Sequence, residues 1–206
     1  MNKGRFIVFE GIDGSGKTTQ ARLLAEHLEK NGRKTFLTAE PTTLPTGRAL
    51  REALSGKIMR TECQMAVMFV DDRIAHNVHP TEGIAALLDA GIDVICDRYY
   101  YSTLAYQGQS TDYAWVKSMN LDCPEIRKPD LCIYIDLLPN QSLERISRGR
   151  DSVEIYENLD TLTKVREQFL SVISDLTPMD NIRIIDGYRT VEAVFADILN
   201  EINCIG

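Results

Sequence analysis

The chain has 206 residues, of which 44% are hydrophobic, so it can bury a core of its own and is close to the size of one domain. Its formal net charge is −7 and the sequence has no long run of Lys or Arg, which argues against a sequence-independent grip on duplex DNA or on an anionic membrane. We therefore expect a single domain over residues 1–206, with neither nucleic acid nor membrane as a partner.

The cysteines and the N-terminal residues give information on the cellular compartment of the protein. The five cysteines form no CxxC pair, and we expect them to be reduced core residues. The N-terminal stretch lacks the apolar region and cleavage site of a secretory leader, and the sequence has no apolar run of membrane-spanning length. We expect a cytoplasmic protein.

Short apolar runs alternate with longer helical patterns, which is typical of a doubly wound α/β fold with a parallel sheet. Strands are predicted at residues 5–10, 34–38, 93–97, 131–136 and 182–186, most of them buried on both faces. Helices are predicted at residues 17–30, 47–54, 63–77, 82–90, 159–175 and 191–201. Because ligands bind outside the carboxyl ends of parallel strands, Glu10, Asp97 and Asp136 should ring one site.

Residues 11–18 match the phosphate-binding pattern GxxxxGK[ST] between a predicted strand and a predicted helix, which is the context that the motif requires. Its glycines let successive N–H groups point at phosphate oxygens, and the following helix adds the positive end of its dipole. We expect Lys17 to reach the β- and γ-phosphates and Thr18 to bind Mg²⁺. The predicted ATP-binding residues are Gly11, Ile12, Asp13, Gly14, Ser15, Gly16, Lys17, Thr18 and Thr19. The alternative is a chance match in a Gly-rich turn, and the motif alone names no substrate.

A second polar feature ends the third predicted strand, where Asp97 and Arg98 precede a run of tyrosines. The carboxylate can hold Mg²⁺ directly or through water, and the guanidinium can neutralise two phosphates at the point of transfer. The alternative from spacing alone is a surface ion pair at a strand end.

Several segments together resemble thymidylate kinases in order and spacing, over about residues 5–170. They are the phosphate-binding loop with Glu10 before it, the pair Glu40-Pro41, the segment Phe69-Val-Asp-Asp-Arg73, and Asp97-Arg98-Tyr99 with Ser102, Tyr106 and Gln107. The resemblance implies a P-loop NTPase fold with a five-stranded parallel sheet, helices on both faces and a short lid near residues 147–156. It also implies a kinase for dTTP biosynthesis that uses ATP and Mg²⁺ to convert dTMP into dTDP, and that is commonly a homodimer.

The same resemblance implies a role for each matched position. Phe69 would stack on thymine and Arg73 would bond its exocyclic oxygen, and an i, i+4 spacing puts both on one helical face. Asp13 would lie near the 3′-hydroxyl of the sugar, Arg98 would bridge the phosphates of the two substrates, and Tyr106 would reject ribonucleotides by crowding the 2′ carbon. The residues implied for dTMP are Asp13, Glu40, Arg51, Phe69, Arg73, Arg98, Ser102, Thr103, Tyr106 and Gln107.

Without the resemblance, three of these positions have simpler interpretations. Phe69 could be a core residue, as most helical Phe residues are, Arg73 could pair with a neighbouring acid such as Asp72, and Tyr106 could pack against the sheet. The match is also imperfect, because many family members carry an arginine beside the Glu-Pro pair and this chain does not. We expect Arg51 to contact the acceptor phosphate in its place.

The segment after the fourth predicted strand carries Arg145, Arg148 and Arg150. In the family this segment enters a lid that closes over ATP, and the phosphate-binding loop of this chain has no arginine of its own. Arg148 and Arg150 are therefore predicted to be catalytic together with Lys17 and Arg98. The alternative is a solvated basic turn.

Three other functions stay open. The chain could be a P-loop kinase for another nucleoside monophosphate or for a deoxynucleoside, which substrate selectivity would reveal. It could be a nucleotide-switched binding protein, although the sequence lacks the Asn-Lys-x-Asp element of the GTPase kind. It could also be an inactive relative that still binds nucleotides.

Overall fold

The computed structural model describes residues 3–149 and 158–205. The strands are β1 (Phe6–Glu10), β2 (Thr35–Ala39), β3 (Asp93–Asp97), β4 (Leu131–Asp136) and β5 (Ile182–Asp186). The helices are α1 (Lys17–Lys30), α2 (Pro45–Leu54), α3 (Glu62–Val78), α4 (Ile84–Asp89), α5 (Tyr100–Ser110), α6 (Tyr113–Leu121), α7 (Pro139–Gly149), α8 (Leu159–Leu176) and α9 (Val191–Asn203). Among the described residues, no helix is both long and apolar enough to cross a bilayer.

The strands form one all-parallel sheet in the order β2-β3-β1-β4-β5, which confirms the predicted α/β fold with a five-stranded sheet. Side chains alternate between its faces. Phe6 and Val8 face a cluster that includes α3, α4, α5, α6 and α8, whereas Ile7 and Phe9 face α1 and α9. The sheet is therefore covered on both sides, and the carboxyl ends of its central strands open toward the phosphate-binding loop.

The structure adds three helices that the hydrophobic pattern did not predict: α5, α6 and α7. In α5, residues 100–105 are all buried, so this part of the helix has no solvent-exposed face from which a period could be recognised. Helix α7 runs through residue 149, so the first three residues of the predicted lid at 147–156 are helical. The rest of the predicted lid lies outside the described residues.

The prediction that the five cysteines are core residues is right for two of them, and Cys123 is only half-buried. Cys96 and Cys132 are buried in the sheet as expected. Cys63 and Cys204 are exposed, because they lie at the ends of α3 and α9 where the helices meet solvent, and the prediction that they are core residues was wrong.

A buried carboxylate holds the end of the sheet opposite the phosphate-binding loop. Asp93 has no exposed surface, and it accepts hydrogen bonds of 2.6–3.2 Å from the backbone and guanidinium of Arg5 and from the guanidinium of Arg33. Burial by itself raises the pKa of Asp93, but the bonds from Arg33 and Arg5 outweigh it and leave the pKa below its ordinary value of 3.8. Such a carboxylate stabilises the fold above the pKa of the unfolded chain, and the contribution is lost as the pH falls through the lower folded value.

We expect Asp93→Asn to lower the free energy of unfolding by about 1–3 kcal/mol at pH 7, because two guanidinium groups lose their counter-charge while Arg33 stays partly solvated. Urea denaturation measures the loss, which should shrink when both proteins are compared below pH 4. Turnover should not change, since Asp93 lies at the far end of β3 from the phosphate-binding loop. An unchanged unfolding midpoint at pH 7 would contradict the stabilising role of Asp93.

Candidate active site

The loop between β1 and α1 needs glycine at two positions for space as well as for backbone conformation. Gly11 has a φ of 144°, and a Cβ there would lie 2.6 Å from the carbonyl oxygen of Ile135. Gly14 has a φ of 74°, and a Cβ there would lie 3.0 Å from the carbonyl oxygen of Ser142 in α7. The loop thus lies tightly between β4 and α7. Since the first N–H groups of α1 have no partner within their helix, they are available to an anion.

Lys17 is folded back onto this loop. Its Nζ donates to the carbonyl oxygen of Ile12 at 3.0 Å and lies 4.0 Å from the Asp13 carboxylate. The residue is only 6% exposed. Burial, with a smaller effect from Arg98, lowers the pKa of Lys17 from 10.5 to about 8, although nearby carboxylates oppose the shift. Lys17 is therefore a desolvated cation that a phosphate group would stabilise.

The loop opens onto a cavity of about 670 Å³, called here the loop cavity. Of the predicted ATP-binding residues, those at 13–19 line it. Gly11 and Ile12 do not line it: Ile12 is wholly buried, and both residues shape the loop from behind. The lining also includes Gln20, Gly187, Thr190 and Val191, which sequence reasoning missed. The signal was available, because Gly187 directly follows β5 and ligands bind beyond the carboxyl ends of parallel strands.

Thr18 and Asp97, the two predicted metal ligands, meet at the edge of the loop cavity. The Thr18 hydroxyl donates to the Asp97 carboxylate at 2.5 Å. Within the described ranges, no group of three or more His, Cys, Asp or Glu side chains is arranged to hold a metal ion. Mg²⁺ does not need such a group, because it typically takes one or two protein ligands and completes its shell with phosphate oxygens and water. One hydroxyl and one carboxylate beside a phosphate-binding loop fit that ion.

A second cavity, of about 620 Å³, lies between α2, α3 and α5 and is called here the α5 cavity. It is lined by every residue that the resemblance implied for dTMP: Asp13, Glu40, Arg51, Phe69, Arg73, Arg98, Ser102, Thr103, Tyr106 and Gln107. Pro41, Leu54, Ser55 and Tyr99 complete the lining. Residues separated by almost a hundred positions in the sequence thus face one space.

Arg98 and Asp13 line both cavities, so the two spaces meet at this pair. The Arg98 guanidinium donates to the Asp13 carboxylate and to the Ser102 hydroxyl, the latter at 3.0 Å, and lies 5.5 Å from the centre of the Tyr106 ring. The alternative of a surface ion pair between Asp97 and Arg98 is wrong, because Arg98 pairs with Asp13. Arg98 also has a φ of 71°, an uncommon conformation for a residue with a side chain and one that recurs at functional sites.

Glu10, Asp97 and Asp136 do not ring one site as predicted: Asp97 lines the loop cavity, whereas Glu10 and Asp136 line neither the loop cavity nor the α5 cavity. Glu10 is wholly buried and accepts from the backbone N–H groups of Tyr99 and Ser102, at 2.8 and 3.1 Å, and from the Ser102 hydroxyl at 2.6 Å. Burial raises the pKa of Glu10, although Arg98 and these hydrogen bonds oppose the shift. Asp136 forms a bidentate ion pair with Arg166 in α8, with both bonds at 2.7 Å. Glu10 therefore does not face either cavity, and its hydrogen bonds fix the start of α5 next to Arg98.

The Arg73 guanidinium is held on three sides at the inner end of the α5 cavity. It donates to Glu40 at 2.6 Å, to Asn120 at 2.5 Å and to Thr103 at 3.1 Å. The alternative pairing with Asp72 is wrong, because that carboxylate accepts from the backbone and the hydroxyl of Thr42. The Arg73 Nε has no hydrogen-bond partner among the described residues and is buried. Sequence reasoning missed Asn120, which lies in α6.

The other predicted residues of the α5 cavity occupy its walls. Phe69 is half-buried and also packs against the α2–α3 cluster, so it serves both the core and the cavity. Tyr106 likewise lines the cavity while its ring meets Phe169 edge-on at 6.1 Å. Gln107 is 5% exposed, and its Oε1 is buried without a partner among the described residues. A bound molecule with polar edges could satisfy this amide and the Arg73 Nε.

Arg51 supports the turn at the rim of the cavity. Its guanidinium donates to the carbonyl oxygen of Thr42 at 2.5 Å and to that of Pro41, which follows a cis peptide bond. Two of its nitrogens are thus engaged with the backbone, and a phosphate contact from Arg51 stays a prediction.

Of the three arginines predicted in or next to the lid, only Arg145 has a described side chain. Arg145, in α7, lines the loop cavity and donates to the carbonyl oxygen of Gly187 at 2.7 Å, which joins α7 to the loop after β5. The side chain of Arg148 and all of Arg150 lie outside the described part of the chain. Their catalytic assignment stays a prediction.

Comparison with known proteins gives consistent matches over nearly the whole chain. A family model described as thymidylate kinase matches residues 9–198. A probable thymidylate kinase of Methanococcus aeolicus is 39% identical over 206 residues, which cover 98% of this chain and 96% of the relative. The thymidylate kinase of Leptospira interrogans is 36% identical over 198 residues, which cover 94% and 91%. A probable thymidylate kinase of Pyrococcus horikoshii is 37% identical over 204 residues, which cover 96% and 95%.

Proposed function

The chain belongs to the thymidylate kinase family, and we propose that it transfers the γ-phosphoryl group of ATP to dTMP, giving dTDP and ADP. ATP would bind in the loop cavity and dTMP in the α5 cavity. The main support is that Asp13 and Arg98 line both cavities. A phosphate group in the loop cavity and one in the α5 cavity would therefore both contact the Arg98 guanidinium. A nucleotide switch would not need the second cavity.

Catalysis would rest on positioning and charge, since a monophosphate is already a nucleophile and needs no covalent intermediate. The backbone N–H groups of the loop and Lys17 would hold the β- and γ-phosphates of ATP. Arg98 would neutralise the charge that both substrates bring to the junction. Because Arg98 is fixed by Asp13 and Ser102 beforehand, little reorganisation would be needed as the phosphoryl group moves.

The base of dTMP would lie between Phe69 and α5. A ring stacked on a base contributes about 1–3 kcal/mol and does not select a base by itself. Selection would come from Arg73 and Gln107, whose buried polar atoms without partners could pair with carbonyl and imide groups of thymine. A base with a different pattern of donors and acceptors would leave these atoms unpaired, at a cost of about 1–3 kcal/mol each.

Thr18 and Asp97 would hold Mg²⁺ next to the phosphates. When bound, the ion would neutralise charge on the β- and γ-phosphates. Arg148 and Arg150 are proposed to reach the transferred phosphate from the lid, with Asp13 near the sugar's 3′-hydroxyl and Arg51 near the acceptor phosphate. Each of these assignments follows from the position of the residue in the family pattern.

We also propose a single domain over residues 1–206 that forms a homodimer in the cytoplasm, without nucleic acid or membrane partners. The outer side of α3 exposes Val67 and Val78, each 48% accessible, and could form part of a dimer contact. The net charge of −7 argues against binding to nucleic acid or anionic lipid. Light scattering behind a sizing column would give the oligomeric state.

Transfer is tested with ATP labelled in its γ-phosphate. The label should appear in dTDP in equal amount to ADP, only when dTMP and Mg²⁺ are both present, and thymidine should not replace dTMP. Label released as inorganic phosphate independently of dTMP would identify a hydrolase or a switch and would overturn the proposal.

Replacing Tyr106 by leucine should weaken the discrimination against ribonucleotides. The ring at position 106 is expected to crowd the 2′ carbon, so a smaller side chain should lower the preference for dTMP over 5-methyluridine monophosphate about tenfold. Tyr106→Phe keeps the ring and should keep the preference. The ratio of kcat/KM for the two acceptors measures the effect, and equal ratios in wild type and Tyr106→Leu would contradict it.

A further inference from the structure

A histidine behind the α5 cavity is connected to the arginine at the cavity's inner end. His76 Nδ1 lies 2.9 Å from one oxygen of Glu40, whose other oxygen accepts from Arg73 at 2.6 Å. On its other side, His76 Nε2 lies 3.0 Å from the Thr38 hydroxyl. His76 does not itself line the α5 cavity, whereas Glu40 and Arg73 do. The carboxylate is thus clamped between an imidazole outside the cavity and a guanidinium inside it.

The chemistry of the partners fixes the direction of these bonds. An ionised carboxylate only accepts hydrogen bonds, so Nδ1 of His76 carries the proton that is shared with Glu40. In the neutral imidazole Nε2 is then an acceptor, and the Thr38 hydroxyl donates to it. Arg73 and His76 are three residues apart on α3 and so face the same way. The helix presents both partners of Glu40 from one rigid surface.

Burial makes the arrangement sensitive to the loss of one partner. Arg73, His76 and Glu40 are 1%, 4% and 6% exposed, so a bond lost within this group leaves a buried charge without one of its partners. Without the imidazole, one oxygen of Glu40 would be unpaired, and the carboxylate would turn toward Arg73 or admit water. Either response would move the guanidinium away from the placement set by Thr103 and Asn120.

We infer that His76 is a positioning residue for the acceptor base: through Glu40 it holds Arg73 in the orientation that recognises thymine. The inference rests on the proposed function, because it needs a base to occupy the α5 cavity. His76 does not touch the substrate, and its loss should weaken acceptor binding in the ground state and the transition state alike. Such a loss raises KM with little change in kcat.

The test separates the two imidazole nitrogens. His76→Ala should raise the KM for dTMP about tenfold, with kcat within about threefold of wild type and the KM for ATP unchanged. His76→Asn places an amide N–H close to where Nδ1 lies and should bring the KM for dTMP to within about threefold of wild type. His76→Gln extends its amide toward Thr38 instead of Glu40 and should not restore it. The matched control is His79→Ala, at a half-buried histidine just past the end of α3, which should leave both KM values unchanged.

Thermal unfolding of each variant shows whether it is folded, and His76→Asn keeps the test decisive if His76→Ala is not. An unchanged KM for dTMP in His76→Ala would overturn this inference but not the proposed function. The same holds if the KM for dTMP is raised as much in His76→Asn as in His76→Gln. Wild-type protein that neither binds nor phosphorylates dTMP would overturn the proposed function, and the inference with it.

Discussion

Lys17→Met should lower kcat for phosphoryl transfer about 10³-fold and at the same time stabilise the ligand-free protein. The loss of activity is expected because the ammonium group compensates charge on the β- and γ-phosphates inside a water-poor cavity, where such a donor contributes most. The side chains of Asp13, Thr18 and Arg98 are unchanged by this substitution, so the nucleotides should still bind. Steady-state kinetics with ATP and dTMP measure the loss.

The gain in stability follows from the lowered pKa of Lys17. Below pH 8 the ammonium is charged in both the folded and the unfolded chain, and its burial then destabilises the fold by up to about 3 kcal/mol. As the pH rises from about 8 toward 10.5, the folded protein releases the proton first and the penalty fades. The difference in the free energy of unfolding between Lys17→Met and wild type, measured by urea denaturation, should therefore be largest near pH 7 and should decrease above pH 8.

Lys30→Met is the matched control, since Lys30 ends the same helix and is exposed. It should leave kcat and the unfolding midpoint unchanged at every pH. Lys17→Met with wild-type turnover would remove Lys17 from the catalytic assignment. If Lys17→Met is less stable than wild type at pH 7, the claim that the buried ammonium destabilises the fold is wrong.

Arg98→Lys should lower kcat about 10²- to 10³-fold even though the charge is kept. A lysine ammonium cannot donate to Asp13 and Ser102 and still contact a phosphate in each cavity, whereas the guanidinium fork has enough donors in a fixed plane. Because the group serves both substrates, the KM values for ATP and dTMP should both change. A defect confined to one substrate would contradict a shared contact.

Arg98→Gly separates chemistry from backbone strain. Glycine adopts a φ near 71° without a steric penalty, so this variant should fold at least as well as Arg98→Lys while losing more activity. Arg22→Lys, on the exposed side of α1, should change neither property. An Arg98→Gly variant that keeps turnover would show that the guanidinium is not needed for transfer.

Much of the fold could be predicted because apolar runs between turn signals mark the strands of a parallel sheet clearly. Strands β3, β4 and β5 and helix α1 have the predicted bounds. Helix α5 escaped prediction because it is buried on almost every side, and its tyrosines and threonine favour strands by propensity. Periodicity detects a helix only when one side meets solvent.

The candidate site was predicted where a local motif or the family pattern specified it, and missed where residues meet only through packing. The phosphate-binding loop is contiguous, so residues 13–19 could be placed on the loop cavity from sequence. Nothing local indicates that Asn120 supports Arg73, or that Glu10 fixes the start of α5. The expectation that every acid at a strand end faces the ligand failed because Glu10 and Asp136 are engaged by neighbouring helices.

The most direct test of the central claim is acceptor selectivity in steady-state kinetics. Purified protein with ATP and Mg²⁺ would be offered dTMP, dUMP, dCMP, AMP, GMP and UMP, and kcat/KM would be measured for each. We expect the highest value for dTMP. The value for dUMP should come next, because uracil shares the hydrogen-bonding edge of thymine, and the value for UMP should be far lower, because its 2′-hydroxyl would meet Tyr106. A higher kcat/KM for another acceptor would contradict the assignment of the α5 cavity to thymine but not the assignment of phosphoryl transfer. ATP turnover that does not depend on any acceptor would contradict both assignments.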